Sequence, residues 1–232
     1  GQNNNITKKL TTSLVVGITH ATYQSANNAA VFGATNTIDG NNNVMWGSTN
    51  LIQQVNTIHV GGFSNEFKNA TSQINAYGSF KNILDGVDYS MVTGTSSTIS
   101  TTQGSIISGF NHTTTGNYNI IGGSQHQTTS ADNNLIVGSG NDLLGSGTDY
   151  NMVGGQNSEL TTSARNIIGG RSHQLLNSDQ NIIGGNNNAL PGSVTSQPNG
   201  GGDNNLIVGS GNNSVYNGMV NNNIVFGLNN QF

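Results

Sequence analysis

The sequence predicts an all-β fold, a parallel β-roll or narrow β-solenoid of about fourteen short repeats. Three observations predict it. A phrase of two or three apolar residues closed by glycine recurs from end to end, as in Asn134-Leu135-Ile136-Val137-Gly138, Asn166-Ile167-Ile168-Gly169-Gly170 and Asn205-Leu206-Ile207-Val208-Gly209. The closing glycines are almost evenly spaced. The positions around them keep their chemical type from one repeat to the next, so units unable to bury an apolar face alone can stack.

The anchor glycines are Gly17, Gly33, Gly47, Gly62, Gly78, Gly94, Gly109, Gly123, Gly138, Gly155, Gly170, Gly185, Gly209 and Gly227. Most lie 14 to 17 residues apart, and the last two gaps are 24 and 18. A period near fifteen is too short for helix-pair repeats or propeller blades.

The position two before the anchor is apolar in every unit and mostly β-branched, from Val15 and Val31 to Ile207 and Val225, as a strand facing a core requires. The position three before it is mostly apolar as well, with Leu14, Met91, Ile106, Ile120, Met152, Ile167 and Ile182 among its members. Neighbouring strand residues point to opposite sides. One apolar column therefore packs inside the coil, and the other packs against a further layer or another chain. Three residues after the anchor every residue is polar, including His20, Asn36, Lys81, His112, His126, Asn141, Ser158, His173 and Asn188. Five after it stand Ile38, Ile83, Ile99, Thr114, Thr128, Leu143, Leu160 and Leu175, the inward residue of a second, shorter strand. Each unit thus reads strand, glycine turn, strand, loop. At the spacing of parallel strands, fourteen rungs make a rod on the order of 65 Å long.

One gap breaks the beat. Between Gly185 and Gly209 lie both prolines, Pro191 and Pro198, among Gly, Ser and Asn. Proline suits a ladder poorly and such clusters mark loops. Residues 1–232 therefore read as a single repeat domain: a lead-in over 1–11, regular repeats over 12–190, an inserted loop over 191–203 that is neutral or touches a ligand, and two last repeats over 204–232.

Composition bounds the rest. Apolar residues make up 32% of the chain and charged residues 7%. That balance resembles a disordered chain, but apolar residues held in register supply a thin ordered core, and Asn-rich columns suit side-chain amide ladders. So thin a core buries little apolar area per residue, and side-by-side association of identical chains would supply what is missing. With no cysteine there are no disulfides and no thiol chemistry. The net charge of −4 and six scattered basic residues offer no stripe for nucleic acid. No stretch is apolar and long enough for a membrane-spanning helix. The opening Gly1-Gln2-Asn3 reads as a fragment or a processed chain.

With the units aligned, the phrase resembles the repeat of the YadA-like head domains of trimeric autotransporter adhesins, roughly N-S-V-A-I-G-x-x-S-x-A. Asn133-Asn134-Leu135-Ile136-Val137-Gly138-Ser139-Gly140-Asn141-Asp142-Leu143 follows it by residue type, as does Tyr150-Asn151-Met152-Val153-Gly154-Gly155-Gln156-Asn157-Ser158-Glu159-Leu160. The likeness runs from about Thr12 to Phe232. It implies a left-handed parallel β-roll packed as a homotrimer. Here bulkier residues replace the family alanines, and the residue before the anchor is Gly in five units but Phe32, Trp46, Tyr77 or Phe226 in others.

Candidate chemistry is sparse. His112 and His126 fall on consecutive rungs of the polar column and are the candidates for a metal ring in a trimer. Asn and Ser fill the same column elsewhere, so a polar ladder accounts for it without metal. Asp85-Gly86-Val87-Asp88 and Gly201-Gly202-Asp203 loosely resemble calcium turns, but neither repeats. No paired carboxylates recur at the spacing a glycosidase needs. Gly138-Ser139-Gly140 precedes no amphipathic helix, so it is a repeat turn and not a nucleotide loop. Phe32, Trp46 and Tyr77 serve either packing or contact with a sugar or protein; with Pro191 and Pro198 they are the candidate partner-binding residues. The pairs Thr113-Thr114 and Thr128-Thr129 raise ice binding, although leucine interrupts the ladder.

The expectation is a non-enzymatic, cofactor-free rod, a homotrimeric head or fibre domain. It is placed outside the cell, on a cell surface or virion, and meets a cell-surface protein or glycan. A phage or viral tail fibre is the alternative; an ice-binding or polysaccharide-degrading solenoid ranks below it.

Overall fold

A computed structural model describes residues 5–6, 14–18, 21–22, 28, 30–35, 37–49, 51–63, 66–68, 72–80, 83–191, 204–213 and 222–231. All regular structure among them is β, and no helix occurs. The strands pair in parallel with the strand one repeat away, giving a β-solenoid of about 10 turns among the described residues, against the fourteen repeats counted in the sequence. The chain falls into two compact units, residues 1–114 and 115–232.

In residues 115–232 the anchor strands run Ile120–Ser124, Leu135–Ser139, Met152–Gln156, Ile167–Arg171, Ile182–Asn186, Leu206–Ser210 and Ile224–Leu228. Their register sets anchor on anchor: Gly123 opposite Gly138, Gly138 opposite Gly155, Gly155 opposite Gly170. The longer gap after Gly185 leaves the register intact, since Ile182 pairs with Leu206 and Gly185 with Gly209. Shorter second strands, Gln127–Thr129, Asp142–Leu144, Glu159–Thr161, Gln174–Leu176 and Ala189–Pro191, stack likewise. Pro191 thus ends a strand, where a missing N–H is tolerated; the rest of the expected inserted loop, 192–203, lies outside the described residues.

Residues 1–114 follow the same plan from Leu14–Ile18 to Ile106–Phe110, with two longer strands, Thr37–Ser48 and Leu51–Phe63. The strand Ser72–Phe80 carries a bulge. Thr93 pairs with Tyr77 but Thr95 with Phe80, so Gly78 and Ser79 together oppose Gly94. On its other side Gly62 pairs with Ser79. A one-residue shift exchanges the two faces of a strand. Leu84 is therefore the buried residue, paired with Ile99, and Ile83, expected inside, is 43% exposed.

The core is the column two before the anchor. Val31, Met45, Val92, Ile107, Ile136, Val153 and Ile207 are fully buried, each such side chain stabilising by about 1.5–3 kcal/mol. Ile99, Leu143, Leu160, Leu175 and Leu190 close it from the second strand.

Anchor glycines are dictated by stacking. In thirteen of the fourteen φ lies between about +108° and +136°, and at Gly33, Gly47, Gly94, Gly123, Gly138, Gly155, Gly170, Gly185 and Gly209 a Cβ would collide with the carbonyl of the next anchor. The coil also turns at left-handed corners, among them Ser96, Asn111, Gln125 and Asn157 after the anchor and Tyr89, Tyr118, Tyr150 and Arg165 before the next strand.

Candidate functional site

Two polar columns lie inside the coil. One heads the repeat phrase. In residues 115–232 it is Asn119, Asn134, Asn151, Asn166, Asn181 and Asn205, all buried, followed by half-buried Asn223. Each Oδ1 accepts both the backbone N–H and the Nδ2 hydrogen of the next asparagine, as from Asn151 to Asn134 (2.8 and 3.1 Å) and from Asn166 to Asn151 (2.9 and 3.0 Å). The second Nδ2 hydrogen goes to a carbonyl, Ser163 for Asn151 and Ser178 for Asn166. Buried amides without partners would each cost about 1–3 kcal/mol; stacked in register they satisfy one another.

The second polar column is the one three after the anchor, and it points inward. In residues 115–232 His126, Asn141, Ser158, His173, Asn188 and Asn212 are all buried. Nε2 of His126 donates to the Gly122 carbonyl (3.1 Å) while Nδ1 accepts the Asn141 N–H (3.0 Å). His173 repeats this with the Gly169 carbonyl (3.0 Å) and the Asn188 N–H (3.4 Å). A carbonyl only accepts, which puts the hydrogen on Nε2, and a backbone N–H only donates, which leaves Nδ1 bare, so these rings are neutral. Burial lowers the pKa of both, opposed by their backbone hydrogen bonds and, at His126, by the charge of Asp142. Asp142 itself is raised, first by burial and further by Glu159. In residues 1–114, His112 is buried, takes its N–H to Ser97 Oγ (3.2 Å) and sets Nε2 3.2 Å from the Ser108 carbonyl. Of the metal candidates, His126 has both ring nitrogens engaged with backbone and His112 has Nε2 so placed. Among the described residues no three His, Cys, Asp or Glu gather as metal ligands would.

The outward face is apolar. The column three before the anchor is exposed: Met91 44%, Ile120 50%, Met152 50%, Ile167 49% and Ile182 49%. Shallow hollows of about 430 and 350 Å³ run beside it, floored by Leu135, Met152 and Ile167 in one and Ile182, Leu206 and Ile224 in the other.

Two of the aromatic candidates in residues 1–114 are exposed. Phe32 and Trp46 are 40% and 42% exposed and pair across adjacent rungs. Trp46 is in register with Gly61, where a Cβ would run into the indole, so that glycine makes room for the ring. Tyr77 sits in the bulged strand; its side chain, that of Pro191, and all of Pro198 lie outside the described residues. Of the threonines, Thr114 and Thr128 are buried while Thr113 and Thr129 are exposed. Asp85 to Asp88 is a corner that buries Val87, and Gly201 to Asp203 lie outside the described residues.

No protein-family model, curated protein or solved structure matches the chain. The YadA-like likeness therefore rests on the repeat phrase and on a coil compatible with a β-roll.

Proposed function

We propose that the chain is a non-enzymatic structural and adhesive segment, a homotrimeric head or fibre domain at a cell or virion surface that meets a protein or glycan receptor. One observation carries this reading: on rungs whose interior is already satisfied, a second apolar column stands about half exposed. An apolar stripe repeated along a coil is too extensive for an idle surface. Identical chains side by side would cover it, and three chains multiply weak receptor contacts by avidity. The weakly charged exterior suits a scaffold better than catalysis, and Phe32 and Trp46 supply ring faces for a sugar or apolar side chain.

Light scattering on the full chain at micromolar concentration tests the assembly. A mass three times the 24.1 kDa of one chain is expected; a monomer overturns it. Trp46→Ala that keeps its thermal midpoint but loses adhesion to cells or immobilised glycans supports the aromatic contact, and undiminished adhesion removes it. Release of reducing ends from polysaccharides would overturn the non-enzymatic reading.

A further inference from the structure

The inward polar column is filled interchangeably by Asn and His, and the two perform the same task. Asn188 donates from Nδ2 to the Gly184 carbonyl four residues earlier (3.0 Å), and its Oδ1 accepts the Asn212 N–H (3.0 Å). His173 donates from Nε2 to the Gly169 carbonyl, again four residues earlier, and its Nδ1 accepts the Asn188 N–H. Asn141 and His126 show the same equivalence (Asn141 to the Val137 carbonyl, 3.2 Å, and from the Ser158 N–H, 3.0 Å). The difference is that an amide does not titrate near neutral pH and an imidazole does.

We propose that His173 is an acid-sensitive latch, whose protonation opens the coil between the strands Gln174–Leu176 and Ala189–Pro191. A proton on Nδ1 faces the Asn188 N–H, donor against donor, in a site where the ring is 1% exposed. The Asn188 N–H loses its acceptor, the ring gains a buried hydrogen with none, and one of the bonds joining the two rungs, beside Gln174 N–H to the Asn188 carbonyl (3.1 Å), is lost. Among the described residues little nearby compensates. Ser158 before it and Asn188 after it in the column are neutral. The charged residues of the strands around it are Arg171, which opposes protonation, and Glu159, whose carboxylate is engaged by Gln174 Nε2 (3.5 Å). The strands Ile182–Asn186 and Ala189–Pro191 carry no charge, and Arg165 and Asp179 pair with each other (3.5 Å).

The pH window follows from linkage. The folded ring has its pKa lowered from the ordinary 6.5 by burial. Below that ordinary value the unfolded ring takes up protons the folded ring resists. Stability from this group is therefore full above about pH 6.5 and falls as pH drops towards the lowered folded value. Asp142, with a raised folded pKa, acts oppositely as pH falls towards the carboxylate range. Between pH 7.5 and 5.0 one ring held neutral lowers the opening constant's protection at most about 30-fold.

Amide hydrogen exchange on the full chain, expressed as protection factors, tests the latch. In the wild type, protection of the Asn188 N–H is expected to fall severalfold, within that ceiling, from pH 7.5 to 5.0. In His173→Asn it stays constant, while the Asn141 N–H, held by His126, still loses protection. Protection at Asn188 that ignores pH in the wild type, or falls equally in His173→Asn, overturns the proposal. Should that variant not fold, ¹⁵N shifts of the wild-type ring decide. A ring protonating in step with the loss at Asn188 supports the latch; one charging at its ordinary pKa without loss of protection overturns it.

Discussion

Residues 115–232 and residues 1–114 share one repeat but keep it differently. Among the described residues of the later unit the strand pairings are free of register shifts, even across the 24-residue step from Gly185 to Gly209. In the earlier unit the register shifts between Ile38 and Gly40, between Val60 and Gly62, and between Thr93 and Thr95. The position heading the phrase separates them. From Asn119 to Asn223 it is asparagine on every rung, and in the earlier unit it is Ser13, Ala29, Asn43, Ile58, Ile74, Ser90 and Ser105. An amide locks two hydrogen bonds per rung into one alignment; Ser90 supplies one, from the Ser105 N–H (3.2 Å), and isoleucine none. A slip therefore strands buried polar groups in the later unit and costs less in the earlier one. The two buried hydroxyls left without a partner among the described residues, Thr102 and Thr114, both belong to the earlier unit.

The largest effect tests stacking itself. Gly155→Ala would set a Cβ against the Gly170 carbonyl, with that residue's backbone carbon and nitrogen at 2.9 and 3.0 Å, at a φ of +127°. The clash is with backbone and has no rotamer to relieve it, so a loss of more than about 4 kcal/mol is expected, read as loss of the cooperative melt by circular dichroism. Gly169→Ala is the matched control: nothing lies within 4 Å of its Cβ position, and a change within about 0.5 kcal/mol is expected.

Next comes the amide lock. Asn166→Ala leaves the Asn181 N–H and Nδ2 without the oxygen they share at 2.9 and 3.0 Å. A loss of about 3 kcal/mol is expected by urea melting. Ser90→Ala, the equivalent change in the earlier unit, removes the acceptor of the Ser105 N–H and should cost about 1 kcal/mol. Equal losses would show that the asparagines do not set the difference between the units.

Much of this was legible in the sequence, because side chains repeat with the backbone. The anchors, the buried column at Ile136 and Val153, and the outward column at Met152 and Ile167 all follow from strand alternation. What alternation alone left open was the interior of the corners. Asn134 and Ile136 stand two apart and so share a face, a signal that the leading asparagine is inside. His126 and His173 follow the glycine turn, where a φ above +100° breaks the count, so their burial was hidden. Tyr89, Tyr118 and Arg165 occupy left-handed corners that residue type argues against. Ile83 and Leu84 are both apolar, and only the bulge at Gly78-Ser79 decides which of them faces in.

That bulge offers the smallest and sharpest test. Two successive steps of 16 residues flank Gly78, so the strand Ser72–Phe80 holds one residue more than its neighbours accommodate. Deleting Ser79 would let Gly78 sit opposite both Gly62 and Gly94 while Leu84 keeps its inward place by count. If the bulge only absorbs an extra residue, the deletion should leave stability unchanged or raise it by about 1 kcal/mol, since it restores ladder bonds. A thermal midpoint lowered by several degrees would instead mean that the irregular register of the earlier unit is itself required, as bulges that re-aim side chains are. The bulged strand carries Tyr77, which follows Gly61 in the column of Phe32 and Trp46. Adhesion measured beside the melt separates a spacing error from a built feature.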